Sequence, residues 1–494
     1  MRKKGLIFVI CLSLALALSG CNGKKTDTKN KSETEVSTTK KEEETHKDTS
    51  KTNVTSGDYY KPQEFGLMNL NKWDSKWCWE RSSSSEHFYV FWEKGFGTDP
   101  NSSKLPSGMR VDIDDLLKKA EEFYRKNTEE LGFEGNKEGY KFQIYLLYQT
   151  EWLATGSGYD NKIGALWVNP STCQPVGSTI AHEIGHSFQY LIYCNELYEG
   201  KEDDYKSGFR YGYPGSNGGN GFWEQTAQWQ ALSCYPQEYF IDYHMENWFL
   251  NYNRAFENEW IRYQSYWLHT FIAEKHGITA ISEIWKQSNY PEDALSCYMR
   301  IYLNNNLDKL YEELYDYAAH MATFDMDTIR EYSGSWRNRY KTTLYDSEDG
   351  YRQVAYSSCP EATGFNVIPI ELEEGKKQIT ADFAGLKAGS KLAADDKGEY
   401  KEEEKNAGNT DTYNVSEFEP GWRYGFVALC DDDTRIYGEM NKADKEKITF
   451  NIPSNVKELY FVVLGAPKEY CSHGWDEKEI TDVQTPYKVK FVYR

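Results

Sequence analysis

The chain has 494 residues, 39% of them hydrophobic and 27% charged, which is enough apolar material for one large core or two. A formal net charge of −20 excludes the basic face that a nucleic-acid binder needs to displace counterions from phosphates. Aromatic residues reach 16%, and they serve core packing as readily as contact surfaces, so they exclude nothing.

Arg2, Lys3 and Lys4 precede an apolar run from Gly5 to Leu18, too short for a membrane span, and residues 1–20 read as a signal peptide. The run ends in Leu18-Ser19-Gly20-Cys21, which resembles a bacterial lipobox. That implies cleavage before Cys21 and acylation of its thiol, so that the exported chain meets the membrane through a lipid anchor only. Residues 21–58 carry the lipid site and a stalk, because 22–57 lack side chains able to bury enough apolar area to offset chain entropy. Eight cysteines remain beyond Cys21, dispersed and without paired metal spacing; export permits disulfides among them.

From about residue 59 the composition is globular. Residues 86–93 predict a strand, 111–131 a helix ending at Gly132, and 140–148 and 163–168 two further strands. Ser178 or Thr179 is expected to cap a helix that runs to about Cys194. After a Gly- and Asn-rich loop, helices are expected at 222–234, 260–276, 278–288, 292–303 and 307–322. Strands followed by helices make an α+β domain over 59–344. Beyond 345, short β-rich runs at 366–372, 377–383, 424–430, 447–452, 458–464 and 487–493 predict a C-terminal β-sandwich over 345–494.

Within the helix at 178–194 lies His182-Glu183-Ile184-Gly185-His186. Residues four apart share a helix face, so both imidazoles can meet one Zn²⁺ at about 2.0–2.1 Å. Glu183 is placed to act as general base on a water rather than as a ligand. Gly185 lets another backbone approach, and Ile184 points to the core. Chance produces this pattern on the order of once in a hundred chains of this length. The position six residues past His186 is Ile192, not a third histidine, so the third ligand is expected to be a carboxylate on a following helix. Glu224 fits best, because Ala227 and Ala231 give its helix a face of small side chains; Glu196 and Glu199 would require the His helix to break and fold back.

These residues, with His182 to Gln189, Trp223 to Trp229, Tyr263 to Gly277 and Tyr317 to Asp325, resemble the gluzincin group of zinc metallopeptidases. They also resemble an uncharacterised family of bacterial surface lipoproteins with a zincin-like core. The resemblance spans roughly residues 85–390. It implies a zincin-like fold with a mixed sheet beside the active-site helix, Zn²⁺ as cofactor, and an edge strand, assigned to 163–168, that aligns the substrate backbone. It also implies that Tyr263 supplies a phenol to the oxyanion, with Tyr266 and His269 as competitors on the same helix. Gln189, one turn past His186, is a candidate partner for a ligand. His244, His276 and His320 read as structural, while Trp422, Tyr424 and Trp475 could stack on a sugar.

The sequence therefore predicts a lipid-anchored zinc metallohydrolase of the cell surface, an endopeptidase acting on extracellular protein or glycoprotein. The alternative is a non-catalytic adhesin or glycan-capture lipoprotein that retains a zincin scaffold.

Overall fold

The computed structural model describes residues 57–201, 208–209, 219–289, 291–392, 418–472 and 483–494. The signal peptide, Cys21, the stalk up to residue 56 and Trp475 lie outside these. The protein is α+β.

The first layer is a five-stranded sheet in the order β1-β2-β3-β5-β4. Its strands are β1 (Ser82–Ser84), β2 (Phe88–Trp92), β3 (Phe142–Leu146), β4 (Ala154–Tyr159) and β5 (Ile163–Val168). β2, β3 and β5 are parallel, while β1 and β4 run antiparallel at the two edges. The strand expected at the edge, 163–168, is therefore interior, and β4 takes the edge instead. Alternation explains how both faces are buried. Phe88, Val90, Ile144 and Leu166 enter the main core, whereas Tyr89, Phe91, Tyr145 and Ala165 pack beneath Phe65, Leu70 and Trp77 of the N-terminal segment.

Helix α1 (Ile113–Arg125) crosses over between β2 and β3. Asp112 caps it by accepting from the amides of Asp114 and Asp115, both at 3.1 Å. It continues into a π-turn over Lys126–Glu130 before Gly132, which has φ +77°.

Helix α2 (Ser178–Tyr198) lies on β4 and β5. Neither expected hydroxyl caps it: Gly177 occupies the cap position and gives no side-chain bond. Three glycines seat this helix. A Cβ at Gly156 would overlap the Glu183 backbone carbonyl, one at Gly158 the Tyr190 ring, and one at Gly164 would lie 2.7 Å from Ser187 Cβ. Gly156 and Gly158 share a face of β4, and Gly158 pairs with Gly164 across the ladder, so together they form a floor without side chains.

Six helices follow: α3 (Gly219–Cys234), α4 (Asp242–Asn251), α5 (Trp267–His276), α6 (Ala280–Gln287), α7 (Ala294–Tyr302) and α8 (Leu307–Met321). The helix expected over 260–276 is shorter. A 3₁₀ turn at Glu259–Ile261 precedes a turn holding Tyr263, and α5 begins only at Trp267.

The C-terminal part stacks two antiparallel sheets. Its strands are β6 (Leu344–Asp346), β7 (Arg352–Val354), β8 (Phe365–Ile370), β9 (Gln378–Gly385), β10 (Trp422–Cys430), β11 (Arg435–Tyr437), β12 (Lys445–Asn451), β13 (Val456–Gly465) and β14 (Tyr487–Tyr493). The sheets run β11-β10-β13-β8 and β12-β9-β14-β7-β6, and between them lie Phe383, Tyr424, Phe426, Phe461 and Val489. The opposite face of the first sheet enters the same core as the helices through Val367, Val427, Tyr460, Val462 and Leu464. Thr55–Arg494 accordingly forms one compact unit. Trp422 and Tyr424, read as possible sugar-stacking residues, are 3% and 0% exposed, so neither ring can reach a ligand at the surface. Cys78, Cys173, Cys234, Cys297, Cys359 and Cys430 are free thiols.

Candidate metal centre

Helix periodicity puts His182 and His186 on one face of α2, with ring centroids 4.6 Å apart and planes perpendicular. Helix α3 meets that face closely because Gly185 carries no side chain. A Cβ there would lie 2.6 Å from Gln230 Oε1 and 3.3 Å from Ala227 Cα. The close approach delivers Glu224, whose Oε2 lies 3.1 Å from His182 Nε2 and 3.2 Å from His186 Nε2. All three residues are buried, and their ligand atoms lie within 4.8 Å of one another. Among the described residues this is the one such group of three or more His, Cys, Asp or Glu side chains.

The outer nitrogens of the two rings are also engaged. His182 Nδ1 is 3.0 Å from Gln228 Oε1, and His186 Nδ1 is 3.0 Å from Gln189 Oε1. An amide oxygen only accepts, so each Nδ1 carries a proton and each Nε2 is the nitrogen turned towards the Glu224 carboxylate. Two imidazole nitrogens and one carboxylate oxygen thus converge, a donor set that suits a divalent cation taking the place of any proton shared between them. Gln189 sits where the sequence placed it. Gln228 was missed, although its position four residues past Glu224 is the signal that could have found it.

The two carboxyls of the site have opposite electrostatics. Burial pushes Glu183 up to about 7, and the nearby Glu224 charge adds to this, while His182 and the Gly156 backbone oppose it. Burial acts on Glu224 in the same direction, but the two imidazoles outweigh it and hold that carboxyl well below the ordinary carboxylate range. The pair is thus split: Glu224 stays ionised, while Glu183 can exchange a proton near neutral pH.

Around the histidines, the Trp223 ring stacks on His186 at 5.1 Å, and the half-buried Tyr263 ring lies 6.1 Å from His182. The competitors of Tyr263 are occupied elsewhere. Tyr266 is buried and donates its hydroxyl to Tyr239 O at 2.6 Å. His269 is sealed in the core with Nε2 3.0 Å from Thr226 Oγ1, and burial lowers it to about 3. Glu196 and Glu199 lie at the far end of an unbroken α2, paired with Lys201 and Lys137 respectively. Ten residues of helix separate Glu196 from His186, about 15 Å, too far for a shared ion. His276 bonds Tyr298 and Glu313, and His320 bonds Asp316. His244 is closer to the site than its sequence context suggests. Gln264 Nε2 donates to its Nδ1 at 3.1 Å, and burial with the neighbouring His182 pushes it down to about 4.

No curated protein matches the chain. Among solved structures, it is similar to "A novel family GH115 4-O-Methyl-alpha-glucuronidase, BtGH115A, with specificity for decorated arabinogalactans", at 10% identity and a TM-score of 0.14. The match covers 72% of this chain and 52% of that one, so the chain spans about half of that protein's length, and a likeness this slight carries no argument. Residues 51–493 match DUF6055, a family of unknown function, and the chain belongs to that family.

Proposed function

We infer that the protein is a zinc-dependent metallohydrolase of the gluzincin type, with His182, His186 and Glu224 as ligands, Glu183 as general base, and an extracellular polypeptide or glycoprotein as substrate. The observation that carries this reading is the convergence of two imidazole nitrogens and one carboxylate oxygen in a buried site. Ligand order supports the gluzincin type, since two histidines on one helix are completed by a glutamate on the next. The antiparallel edge strand β4 beside α2 supports a zincin-like layout and a substrate held in extended form.

When bound, zinc supplies Lewis acidity to the substrate carbonyl and to the attacking water. The chain does the rest. Glu183 takes the proton of the attacking water and returns it to the leaving amine, a task for which a carboxyl near 7 is well matched. The Tyr263 phenol donates to the oxygen on which negative charge develops. Gln228 and Gln189 hold the two imidazoles in the tautomer that leaves Nε2 free.

Zinc content and hydrolysis of a peptide library test the reading together. Glu224→Ala should purify with far less zinc than wild type, whereas Glu183→Gln and Tyr263→Phe should keep about one ion and lose rate, Glu183→Gln by several powers of ten. Glu196→Ala and Glu199→Ala should keep the metal. Loss of zinc from either of these with retention in Glu224→Ala would overturn the ligand set, and full activity in Glu183→Gln would overturn the mechanism. Lipid attachment at Cys21 is proposed from the lipobox; Cys21→Ala that fractionates and migrates like wild type removes it.

A further inference from the structure

His186 is the first member of a chain of side-chain amides that crosses the domain. Its Nδ1 faces Gln189 Oε1 at 3.0 Å, and Gln189 Nε2 donates to Gln230 Oε1 at 3.1 Å. Gln230 Nε2 donates to Asn127 Oδ1 at 2.6 Å, and Asn127 Nδ2 donates to the backbone carbonyl of Phe123 at 2.9 Å. Gln189, Gln230 and Asn127 are each 1–2% exposed, so water cannot substitute for a missing partner.

The far end fixes the direction of every bond. A backbone carbonyl can only accept, so Asn127 must turn its NH₂ to Phe123 and its oxygen to Gln230. Gln230 must then present NH₂ to Asn127 and oxygen to Gln189, and Gln189 must present NH₂ to Gln230 and oxygen to His186. The imidazole must then donate from Nδ1, which leaves Nε2 as the nitrogen that faces Glu224 Oε2 at 3.2 Å and that an ion would take. Two irregular features make the chain possible. The π-turn at Lys126–Glu130 extends α1 past Arg125 and carries Asn127 into the interior, and such turns recur at functional sites. Gly185 leaves the space that the Gln230 amide occupies.

We propose that Asn127, three amides away from the ion, is a positioning residue that sets the tautomer of His186 through Gln230 and Gln189. Only the purpose of the Nδ1 proton rests on the zinc reading; the hydrogen bond that fixes it is a property of the metal-free protein. With Asn127 or Gln230 removed, the remaining amides are free to reverse, and a reversed Gln189 offers NH₂ to Nδ1 and drives the proton onto Nε2, where it competes with metal.

The test uses the full chain with ¹⁵N-labelled histidine, His186 being assigned by the signal missing from His186→Gln. In metal-free wild type, His186 should show a protonated Nδ1. Asn127→Leu should shift it towards the other tautomer and weaken zinc binding about tenfold, the lower end of what loss of a ligand's hydrogen-bond partner costs. Asn127→Asp, which keeps an acceptor facing Gln230, should restore both readouts. Gln230→Leu breaks the same chain from α3, and serves if Asn127→Leu does not fold. A His186 tautomer and a zinc Kd unchanged within twofold in a folded chain-breaking variant overturn the proposal. If wild type binds no zinc, the metal reading fails while the tautomer shift still decides this one.

Discussion

Gly164→Ala sets two opposing effects against each other, and the structure decides the sign. Alanine costs less conformational entropy than glycine in a strand, which favours the variant by roughly 0.5–1 kcal/mol. The added Cβ, however, would lie 2.7 Å from Ser187 Cβ and 3.1 Å from Ser187 O, against the 3.4 Å at which contacts become ordinary, so one of them must give by about 0.7 Å. Neither can give cheaply. β5 is hydrogen-bonded on both sides, and Ser187 belongs to the buried stretch of α2. A 2.7 Å contact puts overpacking in the upper part of its usual range, about 2–3 kcal/mol, so the net effect should be a loss of about 1–2.5 kcal/mol. Ser187 follows His186 directly, and lifting α2 also moves the proposed ligand and base; displacement approaching 1 Å is enough to cost on the order of a hundredfold in rate. Urea unfolding of metal-free protein measures the first quantity, and zinc affinity with peptide hydrolysis measures the second. Gly108→Ala is the control, because a Cβ there meets nothing within 4 Å and should change stability by a few tenths of a kcal/mol. A Gly164→Ala variant at least as stable as wild type, with unaltered zinc affinity, would refute the claim that the glycine floor seats α2.

Two further outcomes follow from buried charge. Glu183 is raised from 4.5 to about 7 in the folded metal-free protein, so the folded state binds this proton more tightly than the unfolded chain does. The stability it contributes is fully present below about pH 4.5 and is lost as pH rises through 7, by at most ~3 kcal/mol. Glu224, shifted the other way, loses its contribution only at more acid pH. Wild type in chelator should therefore lose stability from pH 5 to pH 8 relative to Glu183→Gln, and parallel pH profiles would contradict this. Glu361, just before β8, lies 3.2 Å from Arg254 with both side chains under 10% exposed, and it also accepts the Ala255 amide at 2.7 Å. Glu361→Ala should cost about 3–5 kcal/mol in thermal or urea unfolding; a loss below 1 kcal/mol would show that this buried pair does not join the helices to the sandwich.

What sequence could reveal follows from how local each signal is. His182, Glu183 and His186 are fixed by spacing within one helix, and Glu224 by the small residues that repeat along the next. β4 was illegible because Ala-Thr-Gly-Ser-Gly-Tyr has little strand propensity; its glycines are there for the helix above them. The edge was consequently assigned to β5. Tyr263 read as helical because apolar residues run on from 260, but Ser265 turns inward, bonding Ile261 O at 2.9 Å and Gln225 at 2.6 Å, and breaks the segment before α5. The link between Gln230 and Asn127 joins residues 103 positions apart and has no spacing to betray it. Trp422 and Tyr424 carried a correct signal for aromatic content, but exposure is a tertiary property that the local sequence does not encode.

The doubly buried sheet of the sandwich also bears on the order in which the chain acquires its structure. All nine residues of β10 are buried, and β13 contains the unbroken apolar run Leu459–Leu464. Six consecutive apolar residues of high strand propensity are an aggregation hazard while unpaired. Synthesis proceeds from the N-terminus, so the helices ending with α8 leave the ribosome before these strands do. Helix α8 packs against both β10 and β13. The helical layer is thus already synthesised when the hazardous segment emerges, and it carries the face against which β10 and β13 pack.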